Sequence, residues 1–431
     1  MSGDDGSSSP RRRFGPATLA ALVVANMIGA GVYTTSGYAL ADLGSPARVL
    51  AAWSVGGVIA VCGAIGYGAL ARRLTESGGE YLFLSRVIHP AAGFVAGWVS
   101  LLAGFTGAIA FAAHAFESYV RPANATVPEN LVAVAAVALA TALHGVRARP
   151  GAWSQNAVVA LKLGVLVAFV GVASAVWTAQ GAPWPVAEPG PFRLSVFAGS
   201  LVWISLSYSG FNAAVYVAGE ARDPARTVPA AMLRATVGVT LVYLLLNVVF
   251  VGFVPVDAVS GRPDVAFAAA EALLGESGAQ VVRGIVALSL LTSVSSMVMA
   301  GPRVFARMAD DGLFPAALRF RGDVPTRAIV AQAILAILVI LVSDLESLLG
   351  YLGLTLSLSA AFTVSCVFVL RRRHGAAHVP VTGSIALPAI YVVATLGLAV
   401  LAAQRQPTEW IAAGVTIVSG LVVYALVRRR R

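Results

Sequence analysis

Thirty of the 431 residues are lysine or arginine, and Lys162 is the only lysine among them. It sits in Ala160-Leu161-Lys162-Leu163-Gly164, inside an apolar stretch, where helical rise places it about 10 Å from that stretch's start. A charge at such depth is costly and marks a functional position by default. Arginine stays protonated there, whereas a buried lysine sheds its proton once its pKa falls, so lysine suits the transfer of a coupling proton. Two further places hold chemistry in the main chain: Asn26-Met27-Ile28-Gly29-Ala30-Gly31-Val32-Tyr33 and Ser205-Leu206-Ser207-Tyr208-Ser209-Gly210-Phe211-Asn212. Glycine-rich interruptions of apolar stretches free N–H groups that favour an anion at a helix start, and carbonyls that favour a cation.

The elements that must carry these groups follow from composition. The chain is 58% hydrophobic and 12% charged, with a mean hydropathy of +0.82, too apolar for several soluble domains. Apolar stretches run from about residue 14 to Leu40 and then over 47–71, 91–119, 131–145, 155–178, 194–219, 231–254, 279–305, 327–343, 347–370, 382–403 and 409–427. Most approach the ~20 residues that cross a bilayer as a helix. The expected fold is therefore an all-α polytopic membrane protein with about twelve spans. Alternate loops and both ends hold 23 arginines against 6 on the other side, which places both termini in the cytoplasm of a multi-pass cell-membrane protein. The net charge of +10 thus reflects topology, with membrane lipid rather than nucleic acid as partner.

The interruptions fall in spans one and six, corresponding positions of two five-span halves with opposite starting sides. An inverted repeat with broken helices is the layout of a secondary transporter. The expected organisation is a disordered cytoplasmic segment at 1–13, first half 14–179, second half 190–371, spans eleven and twelve at 380–427, and a basic tail at 428–431.

Four segments resemble the amino acid–polyamine–organocation transporters, in particular bacterial amino-acid permeases and L-type transporter light chains. They are Ile28 to Tyr33; Ser77-Gly78-Gly79-Glu80-Tyr81 with Gly93 to Trp98; Ser207 to Asn212 with Gly219 to Pro224 and Pro229; and Gly301-Pro302-Arg303 with Met308 to Pro315. The chain departs from the usual pattern at Thr75-Glu76, where a proline is common, and at Ala30, where many members carry serine. The resemblance implies a LeuT-like fold and alternating access for an amino acid. The carboxylate would sit on the amides of Gly29, Ala30 and Gly31, and the ammonium on carbonyls around Ile28 and from Tyr208 through Ser209 to Gly210. Motif alignment adds Ala103, Gly104 and Ala108 in span three and Asn212 in span six to the pocket, with Met297 as a gating side chain and Tyr208 or Phe211 as an aromatic lid. An asparagine at 212, where some relatives have an acid, points to neutral substrates.

The same resemblance puts Lys162 where sodium-coupled proteins of this fold hold their ion, touching a carbonyl near Gly29 and a hydroxyl of span eight, with Ser293 and Ser296 as candidates beside Thr292 and Ser295. Proton symport is the expected coupling. An obligate exchanger is the alternative, with Lys162 as a fixed cation. A membrane enzyme acting on lipid is a distant alternative, because the spans lack paired carboxylates, a nucleophile constellation or metal ligands. No cofactor is expected. His114 and Glu117, one turn apart, read as an interfacial hydrogen-bonded pair, and Glu220, Arg222, Asp223 and Arg226 as an ion-pair network. Cys62 and Cys366 both lie in apolar stretches. The loop Arg121 to Thr126 has no cysteine, so no disulfide-linked heavy chain is expected, and its Asn124 sequon reads as chance.

Overall fold

The computed structural model describes residues 14–121, 126–145, 152–185, 190–310, 312–319, 325–404 and 407–429. The segment 1–13, the Asn124 sequon, Arg147 and Arg149, Asp311 and the last two arginines lie outside the described residues.

Among these residues nine helices are long and apolar enough to cross a membrane, and Pro16–Met27 with Ala30–Leu43, bent by 40°, makes a tenth span. The shorter apolar helices Leu131–Gly145 and Thr326–Val342 stand where spans four and nine are expected. The chain is an all-α polytopic membrane protein. Prolines open the helices at Pro16, Pro46, Pro90 and Pro224, where the missing N–H costs nothing and φ is already helical. Span ten, Leu345–His374, starts from a capping box between Asp344 and Ser347.

Two boundaries differ from the hydropathy reading. Span seven is helical from Pro224 to Gly252 rather than from 231, because Arg226 and Arg234 ride exposed on a helix that only its apolar face betrays. The helical run Val265–Asp310 begins well before 279 and is broken at Gly275, whose φ is +71°. Its first piece is a separate helix, buried from Val265 to Ala270, and span eight follows.

The core sits around the second half of span one. Ala30–Leu43 is buried along most of its length and packs on span six, while Pro16–Met27 packs on span seven. Span seven also packs on span two, and span ten on span six. Spans eleven (Ala386–Ala403) and twelve (Pro407–Arg429) leave Val393, Val400, Ile411, Val415 and Val418 exposed, the residue types that hydrocarbon solvates. The turn bearing Arg72 and Arg73 and the last helical turn of span ten, with Arg371–Arg373, meet at one end of the bundle. There Arg72 donates to the Pro380 carbonyl at 2.9 Å and Arg373 to that of Val87 at 2.7 Å. This is the arginine-rich end of the bundle.

Candidate functional site

The first span stops being helical at Ile28, whose ψ is 87°, and restarts at Ala30 after an extended Gly29. The Gly29 N–H is used within the turn, donating to the Met27 carbonyl at 2.9 Å. No side chain caps the new helix, so the first-turn amides of Ala30, Gly31 and Val32 have no intrahelical acceptor and form a dipole-positive anion site. The second break begins after Tyr208. Residues 209–212 are non-helical, and the span resumes as a 3₁₀ helix, Ala213–Glu220, itself irregular at Val217.

The breaks face each other. Gly31 lies so close to span six that a Cβ there would stand 2.5 Å from Ser207 Oγ and 2.8 Å from its Cα. Tyr243 on span seven bridges them, its hydroxyl donating to the carbonyls of Met27 at 2.5 Å and Ser207 at 3.0 Å. Both breaks border a cavity of about 1120 Å³. It reaches the arginine-rich end, where Glu76, Ser77, Arg86 and Glu220 line it and Arg86 pairs with Glu76 at 3.4 Å. The opposite end is closed. There Thr35 and Ser207 share a hydrogen bond of 3.1 Å, and Ser36 donates to Asn247. Tyr119 donates to the Tyr33 carbonyl at 2.8 Å, and the Gly261 N–H donates to Gly37 at 2.8 Å.

Most of the residues singled out from sequence lie on this wall: Gly29, Ala30, Gly31, Gly104, Ala108, Tyr208, Ser209, Gly210, Asn212 and Met297. Ile28 and Ala103 do not; both are buried. For Ala103 the reason is local: Ser100–Gly107 is π-helical, and the extra residue per turn rotates the face that meets the cavity. Tyr208 is no lid. Its hydroxyl donates to the Trp53 carbonyl at 2.9 Å, and its ring is wedged against Trp53 and Tyr243. Phe211 borders the cavity but packs edge-on against Tyr67 and Tyr391.

Lys162 reaches the cavity half-buried, its Nζ donating to the Ser289 carbonyl at 3.2 Å and to Ser293 Oγ at 3.4 Å. The span-eight hydroxyl is thus in place. The span-one carbonyl is not: among the described residues no hydrogen bond joins Lys162 to span one, because its stem leans onto span eight. Ser296 borders the cavity, while Ser295 bonds His144 at 2.7 Å. His114 and Glu117 lie off the cavity and are not bonded to each other; Glu117 accepts from the Ala133 N–H at the start of span four. Of the expected network near Glu220, the structure shows an exposed Asp223–Arg226 pair at 3.9 Å, while Glu220 and Arg222 pair with Phe14 through main chain.

Sequence reasoning missed Glu80. It lies on a short helix, Gly79–Val87, between spans two and three, yet it is buried and borders the cavity. It accepts from Tyr67 of span two, from Asn212 Nδ2 at 3.1 Å and from Ser359 of span ten at 2.8 Å. Burial pushes its carboxyl above the ordinary value, and these three hydrogen bonds act the other way. The signals were the Gly78-Gly79 pair and the place of Glu80 in Ser77-Gly78-Gly79-Glu80-Tyr81, one of the segments that carry the resemblance. Gly79 has a φ of +57°, and a Cβ there would stand 2.4 Å from the Tyr216 ring, so the loop is pressed onto span six.

The chain is similar in sequence to known proteins over most of its length. It is 26% identical to the b(0,+)-type amino acid transporter 1 of Mus musculus over 424 residues, covering 94% of this chain and 85% of that one. The large neutral amino acids transporter small subunit 2 of Rattus norvegicus is 26% identical, with 98% and 81% covered. The Asc-type amino acid transporter 1 of Mus musculus is likewise 26% identical, with 96% and 81% covered. The family model described as amino acid permease matches residues 14–425, and by that match the chain belongs to the amino acid permease family.

Proposed function

We propose that this permease carries neutral amino acids by alternating access, in a cell membrane with both termini cytoplasmic, and that the arrangement described is the one open to the cytoplasm. The observation that carries the reading is the uncapped first turn at Ala30–Val32, facing the span-six break across one cavity. It offers an anion site with main-chain donors and, beside it, main-chain acceptors, which suits a group common to every amino acid. The wall beyond is small: Gly104 and Ala108 leave room for a medium or large side chain. Residues 14–179 and 190–371 are taken as the two halves that rock against each other.

Lys162 supports proton symport, since its ammonium sits in the cavity on neutral acceptors of span eight. The second reading is an exchanger in which Lys162 stays a fixed cation, its ammonium held by the Ser289 carbonyl and the Ser293 hydroxyl rather than by a partner that takes its proton. The test is sodium-free uptake of labelled neutral amino acids into proteoliposomes, with and without an inward proton gradient. Accumulation that requires the gradient supports symport. Uptake only into vesicles preloaded with unlabelled amino acid means exchange. Silence in both formats overturns the substrate assignment.

A further inference from the structure

We infer that the segment Ser77–Glu80 is the catch that keeps the cavity open at the arginine-rich end, with Glu80 as its positioning residue. The inference deepens the transport reading and rests on it. Closing that end requires one wall of the cavity to move, and the second half of span six is the wall built for movement. It is a 3₁₀ piece of eight residues, irregular at Val217, joined to the rest of its span only through the non-helical residues 209–212. Short irregular joints of this kind absorb the dihedral changes of a hinge.

The segment from Ser77 to Glu80 holds that piece at two heights and the end of its joint at a third. The Gly219 N–H donates to Ser77 Oγ at 3.0 Å, the Tyr216 ring lies on Gly79, and Asn212 Nδ2 donates to Glu80 at 3.1 Å. The far side of Glu80 is anchored elsewhere, to Tyr67 on span two and Ser359 on span ten. One carboxylate therefore joins the last residue of the hinge, where the movable piece begins, to two spans that do not share that hinge. All three of its partners are neutral, and no basic side chain pairs with it among the described residues. The join is made of charge-assisted hydrogen bonds, strong enough to hold a position. Neutral donors also part without stranding a second buried charge, which an ion pair would do. A permanent salt bridge would lock the gate; this arrangement latches it.

The test uses the full chain in proteoliposomes, with Cys62 and Cys366 replaced by serine and a single cysteine placed at Ala25, which borders the cavity on the first half of span one. A membrane-impermeant maleimide reports how often the cavity is open to the arginine-rich side. Glu80→Gln is expected to slow labelling about fivefold, and Glu80→Asp to keep at least about half the parent rate. Adding Asn212→Ala to Glu80→Gln is expected to change nothing further, since both cut one tie. An unchanged rate in folded Glu80→Gln protein, or additive effects of the two substitutions, overturns the inference. If Glu80→Gln does not assemble, Ser77→Ala carries the test through the Gly219 tie, and an unchanged rate overturns the inference equally. Labelling needs no substrate, so its failure leaves amino-acid transport standing, and absent uptake by a chain whose labelling responds overturns the transport reading alone.

Discussion

Gly31 is where the chemistry of single residues decides most. A Cβ there would stand 2.8 Å from the Ser207 Cα, so Gly31→Ala must push spans one and six apart. Overpacking of this kind costs about 1–3 kcal/mol. The expected result is a lower melting temperature in detergent and at least about a tenfold loss of uptake, because the amide turn moves with the span. Lys162→Ala is expected to abolish proton-driven accumulation while part of the substrate binding survives, measured by uptake beside ligand-induced thermal shift. Accumulation at the parent level by this variant would refute its coupling role. Lys162 was legible in sequence because it is the odd cation in an arginine-rich chain. Glu80 was legible only as part of a family segment; its burial depends on Tyr67, Asn212 and Ser359, residues up to 279 positions away that no local pattern connects. Tyr208 was misread for the same reason: the partners that make it a strut, Trp53 and Tyr243, lie on other spans.

Among the elements, the two broken helices could be read from glycine and polar residues inside apolar stretches, and both lie at the cavity. The π-turn of span three could not, since Ser100–Gly107 has the composition of an ordinary helix and owes its register to what packs around it. That turn makes a prediction by contrast. At Gly104 the nearest atoms to an added Cβ, on Leu356 and Ser100, stand 3.8 Å away. Gly104→Ala should therefore keep its stability within about 0.5 kcal/mol and lose uptake of the bulkiest substrates first. Gly79→Ala puts a Cβ into the Tyr216 ring at a left-handed φ. It should destabilise the chain by more than the ~1 kcal/mol of the backbone conformation alone. Thermal unfolding of both variants, with competition by amino acids of graded size, checks the pair.

For the whole molecule, the recurrence of apolar stretches and the bias of arginine were enough to read a polytopic bundle, because both are sums over many residues. The cavity was beyond such a reading, since its shape is what the packing of at least seven spans leaves empty. Orientation is open to direct measurement. Cysteine at Ala376, exposed at the arginine-rich end, should react with an impermeant maleimide only from the cytoplasm, and cysteine at Asp257, exposed at the other end, only from outside. The opposite pattern would invert the bundle. The closed end has a consequence of its own. Its seal is made of hydroxyls, an amide side chain and main-chain groups: Thr35 with Ser207, Ser36 with Asn247, Tyr119 on Tyr33, Gly261 on Gly37. Dissolved ions screen charges but barely touch buried neutral dipoles. Among the described residues the one ion pair beside them, Arg262 with Asp264 at 2.9 Å, joins two residues of the same loop rather than the two sides of the seam, so opening on that side should proceed at nearly the same pace in dilute buffer and in brine.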